Sequence, residues 1–172
     1  MEEVILVDEQ DQQIGAMEKM EAHKQGKLHR AFSVFVFNSN GDLLLQKRNK
    51  DKYHSGGKWT NTCCSHPKPE ETTEEGAHRR LHEEMGMACE LDYVFNFLYR
   101  ADLDNELIEH ELDHVFFGTS DRQPILNPLE AEDFKYINLK KLQVDMAKNP
   151  AAYTEWLKIC LPYVIDHHQK YF

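Results

Sequence analysis

The sequence predicts an α+β fold: a mixed, mostly antiparallel sheet with one central helix and a C-terminal helical cap. Three observations carry that prediction. Short β-favouring stretches separated by turn residues recur through residues 3–65 and 91–138. A single charged helical stretch, residues 71–85, lies between them and stops at Gly86. From Leu139 onward the pattern turns helical.

Taken in order, residues 3–7 (Glu-Val-Ile-Leu-Val) read as a strand, 8–13 as a polar turn and 14–17 as its return. Residues 18–25 form a short charged helix ended by Gly26. Residues 30–37 (Arg-Ala-Phe-Ser-Val-Phe-Val-Phe) give the strongest strand signal, and Asn38-Ser39-Asn40-Gly41 turns the chain into a partner strand at 42–47. A basic loop with Lys47, Arg48, Lys50 and Lys52 leads to Ser55-Gly56-Gly57. A β-favouring stretch opens at Trp59 and breaks at Pro67 and Pro69, just before the helix. Strands at 91–99 and 107–119, a turn at 124–128 and a strand at 134–138 follow. The tail is a helix over 139–148 and a second from about Pro150, which suits a first helical turn. Pro162 is expected to kink that second helix or end it early. With no repeat, low-complexity tract or linker, residues 1–172 are expected to form a single domain with a real core.

Composition narrows the function. The 172 residues carry a formal net charge of −10 with 29% charged side chains, as expected of a soluble globular protein. That charge argues against general nucleic-acid binding, which requires a basic footprint, although a local basic pocket stays open. Of four cysteines, Cys63 and Cys64 are adjacent while Cys89 and Cys160 stand alone, which is no disulfide framework. No apolar run approaches the roughly 20 residues of a membrane span, and the acidic N-terminus is not a signal peptide. A cytoplasmic protein is expected. No pattern in the chain speaks to oligomeric state.

The residues able to carry chemistry are few. Glu109, Glu111 and Asp113 alternate along a predicted strand and so share a face. Buried together, such carboxylates repel unless a cation sits between them; the plain alternative is a solvated strand face. His23, His29 and His66 are imidazoles of the kind that join carboxylates around divalent ions, though their spacing matches no dedicated metal pattern. Cys64 and His66 share the face opposite Cys63. Beside a metal, Cys64 would be a proton carrier or a nucleophile, and spacing does not choose between them. Arg79, Glu83 and Glu84 fall at helical intervals, the pattern of a charged helix face. Lys19, Arg48, Lys52 and Arg80 could gather on a phosphate.

Glu71, followed by Arg79-Arg80-Leu81-His82-Glu83-Glu84-Met85-Gly86-Met87, resembles the Nudix box, with two departures. Ser65 stands where the box has Gly, and Arg80 where it has Glu, which removes a carboxylate that the hydrolases use. These departures are those of the type I isopentenyl-diphosphate Δ-isomerases. Further stretches resemble that family: Lys19 with His23 and Leu28-His29-Arg30-Ala31-Phe32; Leu45-Gln46-Lys47-Arg48 leading to Lys52 and Trp59-Thr60-Asn61; Cys64-Ser65-His66-Pro67; Tyr99-Arg100-Ala101; and Glu109-His110-Glu111. Trp156 lies in the expected tail helix. The match spans about residues 3–165 in one order, which is far more specific than any motif alone.

The resemblance implies a Nudix-like domain that interconverts isopentenyl and dimethylallyl diphosphate, a small-molecule substrate of isoprenoid biosynthesis. It implies one divalent metal (Mn²⁺, Mg²⁺ or Zn²⁺) on His23, His29, His66, Glu109 and Glu111. A second ion, Mg²⁺, would arrive with the diphosphate and touch Glu84. Lys19, Arg48, Lys52 and Arg80 would neutralise the diphosphate, and Trp156 would face the cationic intermediate. Cys64 and Glu111 would flank the double bond, Glu111 protonating it with help from Tyr99 and Cys64 taking the second proton; the reverse allocation stays open. The competing reading is a Nudix-type pyrophosphohydrolase acting on nucleoside diphosphate derivatives, with Glu83 and Glu84 holding Mg²⁺. A Nudix-like binding module without activity is the non-enzymatic alternative.

Overall fold

The computed structural model describes every residue from Met1 to Phe172. Its strands are β1 (Glu3–Val7), β2 (Gln13–Glu18), β3 (His29–Phe37), β4 (Leu43–Arg48), β5 (Trp59–Thr60), β6 (Cys63–Ser65), β7 (Asp92–Asp102), β8 (Ile108–Thr119) and β9 (Ala131–Ile137). Its helices are α1 (Lys19–Gln25), α2 (Thr73–Met85), α3 (Leu139–Lys148) and α4 (Glu155–Tyr171). The strands join in one sheet in which β3 is the hub, pairing with β1, β4, β6 and β8. Its ladder with β8 is parallel; the other strand pairings are antiparallel, so the expected mixed α+β sheet is the one found.

Alternation along β3 decides how the layers stack. Phe32, Val34 and Val36 join Ala77, Leu81 and Met85 of α2 in one core cluster. Phe35 and Phe37 join Leu142 of α3 and Leu157, Leu161 and Val164 of α4 in another, on the opposite face. Each large apolar side chain so buried contributes about 1.5–3 kcal/mol. Helix α2 is bounded by local signals: a reciprocal Thr72–Glu75 capping box begins it and Gly86, at φ +61°, ends it.

Four details differ from the sequence expectations. The turn at Asn38–Gly41 closes on one rung, Phe37 with Leu43, after which β4 leaves β3 to pair with β9 and β5. The stretch after Trp59 is two short strands on different partners, β5 on β4 and β6 on β3. The amide of Asn61 bridges the bend between them, donating to the carbonyls of Val34 (3.0 Å) and Cys63 (2.8 Å). Pro150 opens a 3-10 turn, Pro150–Ala152, rather than the last helix, which starts at Glu155. That helix runs through Pro162 to Tyr171. Pro162 is on the exposed side, where water can serve the carbonyl it leaves without a donor, while Leu157, Leu161 and Val164 hold the buried stripe.

Candidate functional site

One sheet face changes character along its length. On β8, Val115 and Phe117 belong to the core beneath α3 and α4; the same face continues into Asp113, Glu111 and Glu109, all at most 5% exposed. On β3 that face runs from Phe37 and Phe35 to Ser33 and His29. The parallel register sets His29 beside Glu111, and the β7–β8 register sets Tyr99 on the other side of Glu111. Cys64 pairs with Ser33 across β6. Sequence positions 29, 64, 99 and 111 are thus gathered by backbone pairing alone.

Helix α1 adds His23, whose Nδ1 donates to the Lys19 carbonyl at 2.7 Å. Glu18 caps that helix by accepting from the Met20 and Glu21 amides. His29 Nδ1 likewise donates to the Lys27 carbonyl at 2.9 Å. Because a carbonyl only accepts, each Nδ1 donates its proton there, which turns both Nε2 atoms inward. They meet carboxylates. His29 and His66 Nε2 lie 3.2 and 2.9 Å from Glu111 Oε2, and His23 Nε2 lies 3.1 Å from Glu109 Oε2.

The ligating atoms of His23, His29, His66 and Glu111 lie within 4.8 Å of one another. Those of His23, His54 and Glu109 form a second such group, so Glu109 joins the others through the shared His23. His23 Nε2, His54 Nε2 and Glu109 Oε2 are buried without any hydrogen-bond partner. Imidazole nitrogens converging on carboxylate oxygens call for positive charge among them, which a divalent cation held by the Nε2 atoms would supply, so this donor set fits such an ion. Buried polar groups left unpaired otherwise cost about 1–3 kcal/mol each.

Protonation follows burial and neighbours. Desolvation brings the His66 pKa down to about 4 against the pull of Glu111, so this ring is neutral. Burial also opposes ionisation of Glu109, but the contacts with His23 and His54 outweigh it and hold its pKa well below the ordinary value. Asp113, buried next to the Glu111 charge, is pushed well above the usual carboxylate range and accepts from Ser33 Oγ at 2.7 Å. Burial raises the Cys64 thiol well above its ordinary value; Arg48 opposes this. Tyr99 is raised likewise, by burial and then by Glu111.

A cavity opens on this cluster. Cys64, His66, Glu109, Glu111 and Trp156 line it, together with the four cations Lys19, Arg48, Lys52 and Arg80. The guanidinium of Arg48 lies 5.2 Å from the Trp156 ring centroid and donates to the His54 carbonyl at 3.1 Å. Trp156 Nε1 donates to Asn61 Oδ1 at 3.3 Å. Helix α4 is tied down at its start, where the Thr154 amide donates to the Trp59 carbonyl at 3.1 Å. Glu84 is 5% exposed and held by Arg80 (Nη2 3.1 Å), Gln46 (3.1 Å) and the Cys63 thiol (3.4 Å).

Sequence reasoning missed several residues here. Lys19 is paired with Glu2 at 2.7 Å, and Lys52 with Glu130 at 2.6 Å; Arg80 also reaches Glu130, at 3.2 Å. Tyr53 lies beneath Lys19 and Lys52, its centroid 4.7 and 5.7 Å from their ammonium groups. His54 completes the second donor group. None of these carries a spacing signal, since each sits on a loop or terminus. No helix is long and apolar enough to cross a membrane.

Comparison with known proteins places the chain. The NUDIX domain family matches residues 27–157. "Isopentenyl-diphosphate Delta-isomerase 1" of Aromatoleum aromaticum is 57% identical over 164 residues, covering 95% of this chain and 93% of that one. "Isopentenyl-diphosphate Delta-isomerase 2" of the same organism is 55% identical over 165 residues, covering 96% and 87%. A crystal structure from Deinococcus radiodurans shares the fold at a TM-score of 0.76 and 20% identity, covering 92% of this chain and 96% of that one. The chain belongs to the Nudix family and, within it, to the isopentenyl-diphosphate Delta-isomerases.

Proposed function

We propose that the protein interconverts isopentenyl diphosphate and dimethylallyl diphosphate, with residues 1–172 acting as one Nudix-like domain in the cytoplasm. The observation that carries this is a single cavity lined both by Cys64 and Glu111 and by four cationic side chains. Proton transfer and diphosphate binding then share one chamber. The relatives' names support the same reading.

Lys19, Arg48, Lys52 and Arg80 bind the diphosphate, which takes the place of the Glu2 and Glu130 carboxylates at Lys19 and Lys52. Arg80 stands where a hydrolase would carry a metal-holding acid, and it pairs with Glu83 (2.8 Å) and Glu84 (3.1 Å). That exchange favours keeping the diphosphate intact. It weighs against pyrophosphate hydrolysis.

The reaction adds one proton to the terminal alkene carbon and removes another from the methylene beside the cationic carbon. Cys64 and Glu111 flank the alkene, with Tyr99 relaying protons to Glu111. The buried thiol of Cys64 holds its proton, so it favours the reverse of the first allocation: Cys64 donates and the Glu111 carboxylate accepts. The Trp156 face stabilises the cationic intermediate, an attraction of about 0.5–2 kcal/mol. His23, His29, His66, Glu109 and Glu111 hold a divalent cation, whose charge offsets the clustered carboxylates and fixes Glu111 in place. Three imidazoles suit Mn²⁺ or Zn²⁺ better than Mg²⁺. Mg²⁺ accompanies the diphosphate near Glu84.

Incubation with isopentenyl diphosphate and a divalent metal is expected to give dimethylallyl diphosphate by NMR. Cleavage of nucleoside diphosphate derivatives without that product would instead support the hydrolase reading.

A further inference from the structure

The loop of residues 49–58 carries Lys52, Tyr53 and His54, all of which line the cavity. Its base is closed by backbone bonds: the Arg48 amide donates to the Lys58 carbonyl at 2.9 Å, and the Gly57 amide donates to the Arg48 carbonyl at 3.0 Å. Its tip is gripped from outside, by the turn that joins β7 to β8. Asp104 Oδ1 accepts from the Ser55 amide at 2.9 Å, and Asn105 Nδ2 donates to the Tyr53 carbonyl at 3.1 Å. These two bonds fall on the backbone either side of His54, and between them Arg48 Nη2 donates to the His54 carbonyl at 3.1 Å. A Cβ on Gly56 would lie 2.4 Å from the Lys50 carbonyl oxygen, so the tip also lies against the loop's own first residues.

Backbone strain collects at the same contact. Four residues other than glycine have positive φ, and three of them meet here: Ser55 (+54°), Asn105 (+60°) and Glu106 (+59°). Asn tolerates this left-handed region, whereas Ser and Glu enter it less readily. Such strain persists only where the surroundings over-determine it, and it gathers at ligand clamps. Asp104, Asn105 and Glu106 are exposed, so packing of their own side chains in the core does not account for it.

We propose that Asp104 and Asn105 are positioning residues for the diphosphate, latching the 49–58 loop so that Lys52 is held where the anion binds. The inference rests on the diphosphate site proposed above. Neither side chain lines the cavity, so both act through the loop. A loop ordered in advance has less freedom to lose on binding, so the latch contributes to affinity rather than to proton transfer.

The test is a double-mutant cycle on the full-length protein. It is read by calorimetric titration with inorganic pyrophosphate and Mg²⁺, and by KM and kcat for isopentenyl diphosphate. Asn105→Gly deletes the bond to Tyr53 while glycine accepts φ +60° without strain, so the fold is expected to stay intact, checked by melting temperature. It should weaken pyrophosphate binding and raise KM about threefold to tenfold, the range of one hydrogen bond, with kcat within about twofold. Asp104→Ala should do the same, and Asp104→Asn, which keeps an acceptor oxygen, should restore native binding. In a Lys52→Ala background, Asn105→Gly should have no further effect. Native KM in Asn105→Gly, or full additivity with Lys52→Ala, would overturn the latch while leaving the diphosphate site standing. Native pyrophosphate binding by Lys52→Ala, or none by the unaltered protein, would overturn both.

Discussion

Tyr99 donates its hydroxyl to Glu111 Oε1 at 2.6 Å, while the other oxygen of that carboxylate faces His29 and His66. Glu111 therefore has one oxygen toward the histidines and one on the tyrosine hydroxyl, as the proposed metal site and proton relay require. Tyr99→Phe removes the hydroxyl of the proposed relay and leaves the ring packed on Phe97, whose centroid is 5.3 Å away. We expect kcat to fall about 10²-fold with KM little changed, checked by steady-state kinetics with isopentenyl diphosphate. An equal loss in metal content would show that the hydroxyl had instead been holding the ion site.

The pH profile separates the two allocations of acid and base. Burial raises the Cys64 pKa, so the neutral thiol persists through and above neutral pH. If Cys64 donates the proton, kcat holds across the neutral range and falls as pH rises through that raised pKa. Were Cys64 the acceptor, kcat would climb with pH as the thiolate forms. The limb should vanish with Cys64→Ala, whose activity we expect to be lost by at least about 10³-fold.

Arg80 offers a test of diphosphate retention. Its guanidinium is shared among Glu83, Glu84 and Glu130; burial opposes its charge, but Glu84 and Glu130 outweigh that and raise its pKa, so it stays charged. Arg80→Gln should raise KM about tenfold or more with a smaller effect on kcat, because a diphosphate contact of this kind contributes to both ground and transition states. A changed kcat at constant KM would place Arg80 in the chemistry instead.

Metal removal should abolish activity, and Glu109→Gln should weaken metal retention about 10–100-fold, read by elemental analysis after dialysis against a chelator. Without an ion, the unpaired atoms of His23, His54 and Glu109 lose their counter-charge, so the apo protein should also melt at a lower temperature. Full activity in verified apo protein would refute metal dependence.

Much of this arrangement was legible in the chain, for physical reasons. The two-residue period of a strand put Glu109 and Glu111 on one face, and the helix signals ending at Gly86 bounded α2 closely. Other features required long-range pairing. That His29 stands beside Glu111 follows from a parallel ladder between strands 82 residues apart, which no local pattern encodes. His54 sits on an irregular loop with no periodicity to betray its direction, and Lys52 finds Glu130 across 78 residues. Pro162 misled for the opposite reason. Its local rule was outweighed by the apolar contacts that hold α4 on both sides of it.

The central claim is proton addition and removal at an intact prenyl diphosphate. Turnover of isopentenyl diphosphate in D₂O, followed by ¹H and ³¹P NMR, tests it most directly. The account predicts dimethylallyl diphosphate carrying solvent deuterium in a methyl group, with the diphosphate signals preserved, and no such product from Cys64→Ala. Product formed without any solvent deuterium, or release of phosphate in place of the isomer, would contradict it.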